Sequence, residues 1–167
     1  MANFDTYAPK LMRLEGGYVN NPSDKGGPTN KGVTLTTFRV YFGKERTISD
    51  LRNMTDSQWK VIMKPYWDRC KGDEIRNQSV AEIIVDWHIN SGYQPLKKVQ
   101  GILGVEQDGI FGSKTLAAIN GADQECLHCK VKRARRAFYE NLVKSNPSQS
   151  VFLKGWNNRI ESFTYQS

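Results

Sequence analysis

The chain has 167 residues, 38% of them hydrophobic and 25% charged, with a net charge of +7. That length allows one ordinary domain or two small lobes with a real core, and the composition excludes a disordered polymer. No apolar run approaches the roughly 18–20 residues that cross a bilayer, so stable membrane insertion is not expected. The basic balance favours anionic partners, which nucleic acid, a membrane surface or an acidic polymer would all satisfy.

Residues 1–18 hold no basic segment followed by an apolar one, so synthesis without a Sec signal peptide is expected. Phe4, Ala8, Leu11, Met12 and Glu15 lie at helical spacing, and Gly16-Gly17 stops the helix at Glu15. Pro9 fits such a helix only in or near its first turn. Residues 16–34 are rich in Gly, Asn, Asp, Pro and Ser, which predicts a loop with a short hairpin. Thr36 or Thr37 then caps a short helix through Phe38, Tyr41 and Phe42, ended by Gly43.

Thr55-Asp56-Ser57-Gln58 is a capping box that opens a helix carrying Trp59, Ile62, Met63, Tyr66 and Trp67, bent or ended by Pro65. Ser79-Val80-Ala81-Glu82 is a second box, before a central helix with Val80, Ile83, Ile84, Trp87 and Ser91 inward and Gly92 as its stop. A helix over about 95–103 places Leu96, Val99, Ile102 and Leu103 inward. Ser113 caps another through Ile119, and Asp123 opens a long helix to about 144 with Leu127, Val131, Ala134, Phe138 and Leu142 as its apolar stripe. Ser148 opens the last helix, with Phe152, Trp156, Ile160 and Phe163 inward. The fold class is therefore all-α, or mainly helical, with residues 1–94 as one lobe and 95–167 as a second lobe packed against it.

Little of the usual nucleophile machinery is present: two histidines, no Gly-x-Ser-x-Gly elbow, no Walker loop and no dinucleotide fingerprint. Cys126, His128 and Cys129 invite a metal reading, but a structural zinc site needs four paired ligands. Only Cys70 and His88 remain, so thiols on a helix are expected and no metal or organic cofactor is implied. Glu15 is a different case. A carboxyl at the mouth of an apolar helix loses solvation, which favours its protonated form, and glycoside hydrolysis needs a protonated carboxyl beside the departing oxygen. Asp24, nine residues later, is the candidate second carboxylate; bracing the loop through backbone N–H groups is its alternative.

The segment Glu15-Gly16-Gly17-Tyr18, followed by Asn21-Pro22, Asp24, Gly26-Gly27, Thr29 and Gly32-Val33-Thr34, resembles the signature of the glycoside hydrolase 108 family. The likeness continues through Tyr66-Trp67, Val85-Asp86-Trp87 and Asn90-Ser91-Gly92. In the second half, Val99-Gln100, Leu103-Gly104-Val105, Asp108-Gly109, Phe111-Gly112, Lys114-Thr115 and residues 152–156 resemble the family's peptidoglycan-binding region. The resemblance implies a lysozyme-like fold and a muramidase acting on peptidoglycan glycan strands, with Glu15 as catalytic acid. Lys25 and Lys31 depart from the family pattern and add charge beside the expected cleft. The Glu15-to-Asp24 spacing is also similar to that of phage-type lysozymes.

Several residues keep two readings. Tyr18 is a sugar platform or a half-buried core tyrosine. Thr29 and Thr34 position water or sugar hydroxyls, or stabilise turns. Asp86 and Asn90 share a helix face that touches glycan, with Tyr93 just beyond, or that face is simply wet. The run Lys130, Lys132, Arg133, Arg135 and Arg136 is a solvated face or a contact for anionic wall polymer or lipid headgroups; nucleic acid is not expected. A monomer that reaches the cell wall by release or non-Sec export is expected. A lytic transglycosylase and a non-catalytic wall-binding or secretion-assisting protein are the rival functions.

Overall fold

Twelve residues after the N-terminal tripeptide form the first helix, α1 (Phe4–Glu15), in a computed structural model that describes residues 1–20 and 27–167. Pro9 lies in its second turn, not its first. Buried Tyr7, Ala8 and Leu11 hold the helix together there despite the missing N–H.

Three two-residue strands follow: β1 (Tyr18–Val19), β2 (Thr29–Asn30) and β3 (Val33–Thr34). They make an antiparallel sheet in the order β1-β2-β3, which is the short hairpin expected after α1. Helix α2 (Leu35–Phe42) is capped by Thr34, not Thr36 or Thr37: Thr37 N–H donates to Thr34 Oγ1 at 3.1 Å. The backbone of Thr34 is extended, as an N-cap requires, because it still belongs to β3.

A short helix that the periodicity does not show, α3 (Ile48–Arg52), starts at a capping box made by Thr47 and Asp50. Helix α4 (Asp56–Arg69) opens at the Thr55/Gln58 box as expected, then runs on past Pro65. Buried Trp67 and Cys70 beyond the proline keep it folded.

Helix α5 (Gln78–Ser91) is buried almost throughout, from Ser79 to His88. Its cap is Asn77, which accepts from Val80 N–H at 3.0 Å; Ser79 instead accepts Gln166 N–H at 3.0 Å, so the C-terminal tail has taken the expected capping hydroxyl. Helices α6 (Gln94–Leu103) and α7 (Ser113–Gly121) follow, the latter with Gly112 at its cap and Ser113 already inside. Helix α8 (Gln124–Ser145) is capped by Asp123 as expected. Helix α9 (Ser150–Glu161) begins after a 3-10 turn at Pro147–Gln149. No described helix is long and apolar enough to cross a membrane.

The chain divides into two compact units, Asp5–Pro65 and Met1–Phe4 with Tyr66–Ser167. In the larger unit α5 packs on α6 and α8, and α8 packs on α9. The buried stripe of α8 is Leu127, Val131, Arg135 and Tyr139, one position round from the expected one; Phe138 and Ala134 are half-buried and Leu142 is exposed. The cause is a buried charge. Arg135 Nη2 donates to Asp86 Oδ2 at 2.7 Å, and Arg159 Nη2 donates to Asp86 Oδ1 at 2.7 Å. Asp86 is fully buried and Arg135 is 1% exposed.

The rest of the basic run is divided as well. Lys132 meets Glu161 of α9 at 3.1 Å and Arg136 pairs with the same carboxylate, leaving Lys130 and Arg133 as its outward members. A single solvated or wall-binding face is therefore not what this run forms.

Removing Asp86 takes the carboxylate from the buried Arg135 guanidinium and the half-buried Arg159, and breaking a buried pair typically costs about 3–5 kcal/mol. Asp86→Asn should lower stability on that scale in denaturant melts. Burial pushes the Asp86 pKa up, but hydrogen bonds and charge from Arg159 and Arg135 more than offset it and hold it below its ordinary 3.8. Its contribution is thus full above that ordinary value and is lost as pH falls below it through the folded pKa. The acid unfolding midpoint should shift in Asp86→Asn, with the wild-type advantage vanishing at low pH. Residues 1–94 alone would keep α5 but lose Arg135 and Arg159, so that fragment should aggregate or fail to melt cooperatively.

Candidate active site

Glu15 is the last residue of α1, on a helix whose Phe4, Tyr7, Ala8 and Leu11 are buried. Gly16 follows with φ +78°, a left-handed turn that carries the chain into β1. The Glu15 side chain is half-buried and lies against Gly32, in the turn between β2 and β3. A Cβ at position 32 would stand 3.1 Å from Glu15 Cδ and would overlap Oε2. Glycine suits this position through its φ of +76°, and its missing side chain leaves the space that the Glu15 carboxyl occupies.

Asn30-Lys31-Gly32-Val33 is a two-residue hairpin turn, with Lys31 at φ 48° and Gly32 at φ 76°, the geometry of a type I′ connection. Three side chains fix it. Asn30 Nδ2 donates to Leu51 O at 2.8 Å and Arg52 O at 3.1 Å, satisfying carbonyls at the end of α3. Trp59 Nε1 donates to Lys31 O at 2.9 Å. Lys31 Nζ pairs with Asp56 at 2.6 Å and touches Met12 Sδ at 3.9 Å. Lys31, read from sequence as charge beside the cleft, is committed to bracing the hairpin.

Register decides the faces of the sheet. Tyr18 pairs with Asn30 and Asn30 with Val33, so these three share a face. Asn30 and Val33 are buried, and the Tyr18 hydroxyl is buried with no hydrogen-bond partner among the described residues. The Arg52 guanidinium sits 4.5 Å from the centre of the Tyr18 ring. Tyr18 itself is half-buried, with its hydroxyl end inward. Val19, Thr29 and Thr34 share the other face, where Val19 is exposed and the two threonines are directly opposed. Thr34 Oγ1 also donates to Thr37 Oγ1 at 3.0 Å while it caps α2.

The remaining candidates lie elsewhere or outside the description. Asp24 falls among residues 21–26, outside the described residues, with Lys25. Asp86 is corrected: at zero exposure it lies on no wet face, and its buried carboxylate is stabilised by pairing with two arginines. Asn90 is exposed and turns its amide back to Asp86 O at 2.7 Å. Tyr93 is 55% exposed, edge-on to His88 at 5.4 Å, with the Arg69 guanidinium 5.2 Å from its ring centre. His88 is held below its ordinary pKa by burial and by Arg69, against the opposing effect of the Gly92 carbonyl that Nδ1 donates to at 2.7 Å.

In the second half, Gln100 donates to Asp108, Ile110 O and Thr115, and accepts Gly109 N–H at 2.8 Å. The Asp108-Gly109 motif is a turn closed around that one amide. The residues missed from sequence are Asn30, Trp59 and Gly32 as supports of Glu15. The signal for the turn was present in Asn30-Lys31-Gly32, a short hairpin sequence.

Two family models match the chain. One described as Glycosyl hydrolase 108 covers residues 8–92, and one described as Predicted Peptidoglycan domain covers residues 94–161. Among solved structures, one titled "Structure of Brucella abortus SagA" is 32% identical, with a TM-score of 0.78 over 96% of this chain and 90% of that one. No curated protein matches. The fold is mainly helical and lysozyme-like, with a small hairpin after the first helix and a packed set of C-terminal helices. The chain belongs to the glycosyl hydrolase 108 family and carries that family's fold joined to a peptidoglycan region. The family boundary at 92–94 falls inside the larger compact unit, so α5 belongs by sequence to one region and by packing to the other.

Gly16 and Gly32 make a matched pair for testing the Glu15 contact. Both have φ near +77°, but a Cβ at Gly16 meets nothing within 4 Å. Gly16→Ala should cost only the left-handed backbone penalty of about 1–2 kcal/mol. Gly32→Ala should cost that penalty plus the smaller cost of swinging the flexible Glu15 carboxyl aside, and Glu15→Ala should remove that excess in a double-mutant cycle read by chemical denaturation.

Proposed function

We propose that the chain is a muramidase that hydrolyses the β-1,4 bond between N-acetylmuramic acid and N-acetylglucosamine, with Glu15 as general acid. The observation that carries this reading is the seat of Glu15: a half-buried carboxyl at the end of α1, held against the side-chain-free turn residue Gly32 within the region matched by the hydrolase family. A turn braced by Asn30, Trp59 and Lys31 keeps its geometry while substrate binds, which is how a rigid scaffold positions a proton donor.

In this mechanism Glu15 gives its proton to the glycosidic oxygen as the bond to the anomeric carbon breaks. An oxocarbenium-like centre forms, and water adds to it. Asp24 is the proposed assisting carboxylate, acting by stabilising that positive centre or by activating the water. Thr29, on the open face of the hairpin, is the proposed hydroxyl contact for sugar or water. Tyr93, exposed in the larger unit, is a proposed sugar contact with Asn90 beside it. The reaction needs no cofactor, and the protein is proposed to work as a monomer on the cell wall after release or non-Sec export.

Glu15→Gln should keep the fold and lose at least about 100-fold in rate, the lower range for removing a general acid. The measurement is release of soluble fragments from purified sacculi, with product masses. Fragments that carry one added water support hydrolysis; anhydro sugars would assign a lytic transglycosylase instead. Near-normal release by Glu15→Gln would remove Glu15 from the mechanism. Asp24→Asn and Asp24→Ala, compared at matched melting temperature, should retain more activity than Glu15→Gln; full wild-type activity in both would make Asp24 a loop brace.

A further inference from the structure

Cys126-Leu127-His128-Cys129, near the start of α8, has the spacing of a Cys-x-x-Cys pair. Both thiols are free and exposed, while the residues between them are buried. Leu127 is 3% exposed, and His128 is 4% exposed with its ring 5.8 Å from that of Tyr165. The imidazole thus lies on the inner side of the helix and the thiols on the outer side, so the turn presents two sulfurs and not a three-ligand metal set. Cys70, the third cysteine, is buried, and burial pushes its thiol pKa up, which keeps it protonated and unreactive.

Helix geometry allows the two sulfurs to join. Residues three apart in an α-helix have Cα atoms about 5 Å apart, inside the roughly 4.4–6.8 Å range of disulfides. Their Cβ atoms, about 5–6 Å apart, must approach further. The start of a helix permits that movement, because a turn there tightens readily to 3-10 geometry, in which side chains three apart eclipse. Cys126 is the third residue of α8, and its N–H donates to Asp123 Oδ1 at 2.7 Å, not to a backbone carbonyl. The turn can tighten at Cys126 without breaking a helical hydrogen bond of that residue.

Cys126 also borders an open cavity of about 420 Å³, with Ile102 and Leu103 of α6, Ala118 of α7, and Leu127 and Lys130 of α8; Cys129 does not line it. A small group attached to the Cys126 sulfur has room there. We propose that Cys126 and Cys129 form a reversible dithiol–disulfide site, in which Cys126 takes a low-molecular-weight disulfide at the cavity and Cys129 displaces it. The Cys126 thiolate attacks one sulfur of the incoming disulfide, forming a mixed disulfide and releasing the first small thiol. The Cys129 thiolate then attacks the Cys126 sulfur and releases the second. Two protein thiols are oxidised, one small disulfide is reduced to two thiols, and the protons from Cys126 and Cys129 end on the released thiols. Exposed disulfides are labile, so an excess of the small thiol reverses the exchange. The site is independent of the muramidase reading.

The test incubates the reduced full chain with oxidised glutathione, quenches with an alkylating agent and reads intact mass and peptide maps. Wild type should end with Cys126 joined to Cys129, its mass lower by two hydrogens and no glutathione retained, and reduced glutathione should reverse this. Cys129→Ser should accumulate one glutathione on Cys126. Cys126→Ser should react at least about tenfold more slowly than Cys129→Ser, because access to the attacking thiol sets the rate and its remaining thiol lies outside the cavity. Both variants should melt as reduced wild type does, since both side chains are exposed. Two separate glutathione adducts on wild type, or none, would overturn the proposal, as would a disulfide that joins two chains. Equal rates in the two single variants would overturn the assignment of Cys126 as the entry thiol.

Discussion

One buried carboxylate organises the larger unit. Asp86 on α5 takes a guanidinium from α8 and another from α9, residues 49 and 73 positions away in the chain. Desolvating three charges is unfavourable unless each finds its partner, so the cluster tolerates few arrangements of these helices. It fixes which face of α8 is inward, and it turns what reads in sequence as a basic stripe into internal structure. Lys132 and Arg136 repeat the device at the edge, both on Glu161. Because α5 lies in the matched hydrolase region and its partners lie in the peptidoglycan region, the core of the larger unit crosses the family boundary.

The smaller unit solves a different problem. Three strands of two residues each are too short to be stable alone. Stability has to come from side chains that reach the hairpin from outside it, and Asn30, Trp59 and Lys31 supply those links to α3, α4 and α1. The return is a turn of fixed position beneath the Glu15 carboxyl. Placing Gly32 there lets the hairpin approach the carboxyl more closely than any other residue would allow.

The sequence by itself determined what is local. Capping residues located the starts of α4 and α8, glycines located the ends of α1, α2 and α5, and hydrophobic spacing identified most of the helices. The clustered residues around Glu15 and Gly32 pointed to the glycosidase family because motif spacing is a property of the chain alone. Tertiary structure decided everything that depends on a distant partner. Asp86 has the same polar side chain whether it faces water or two arginines, and only packing distinguishes the two. Thr34 caps α2 because the hairpin delivers it in an extended conformation, and Ser79 loses its cap role because the C-terminal tail claims its hydroxyl. Periodicity assigns a face to a helix but not the neighbour that covers it, so Phe152 was read as core although no helix lies over it fully.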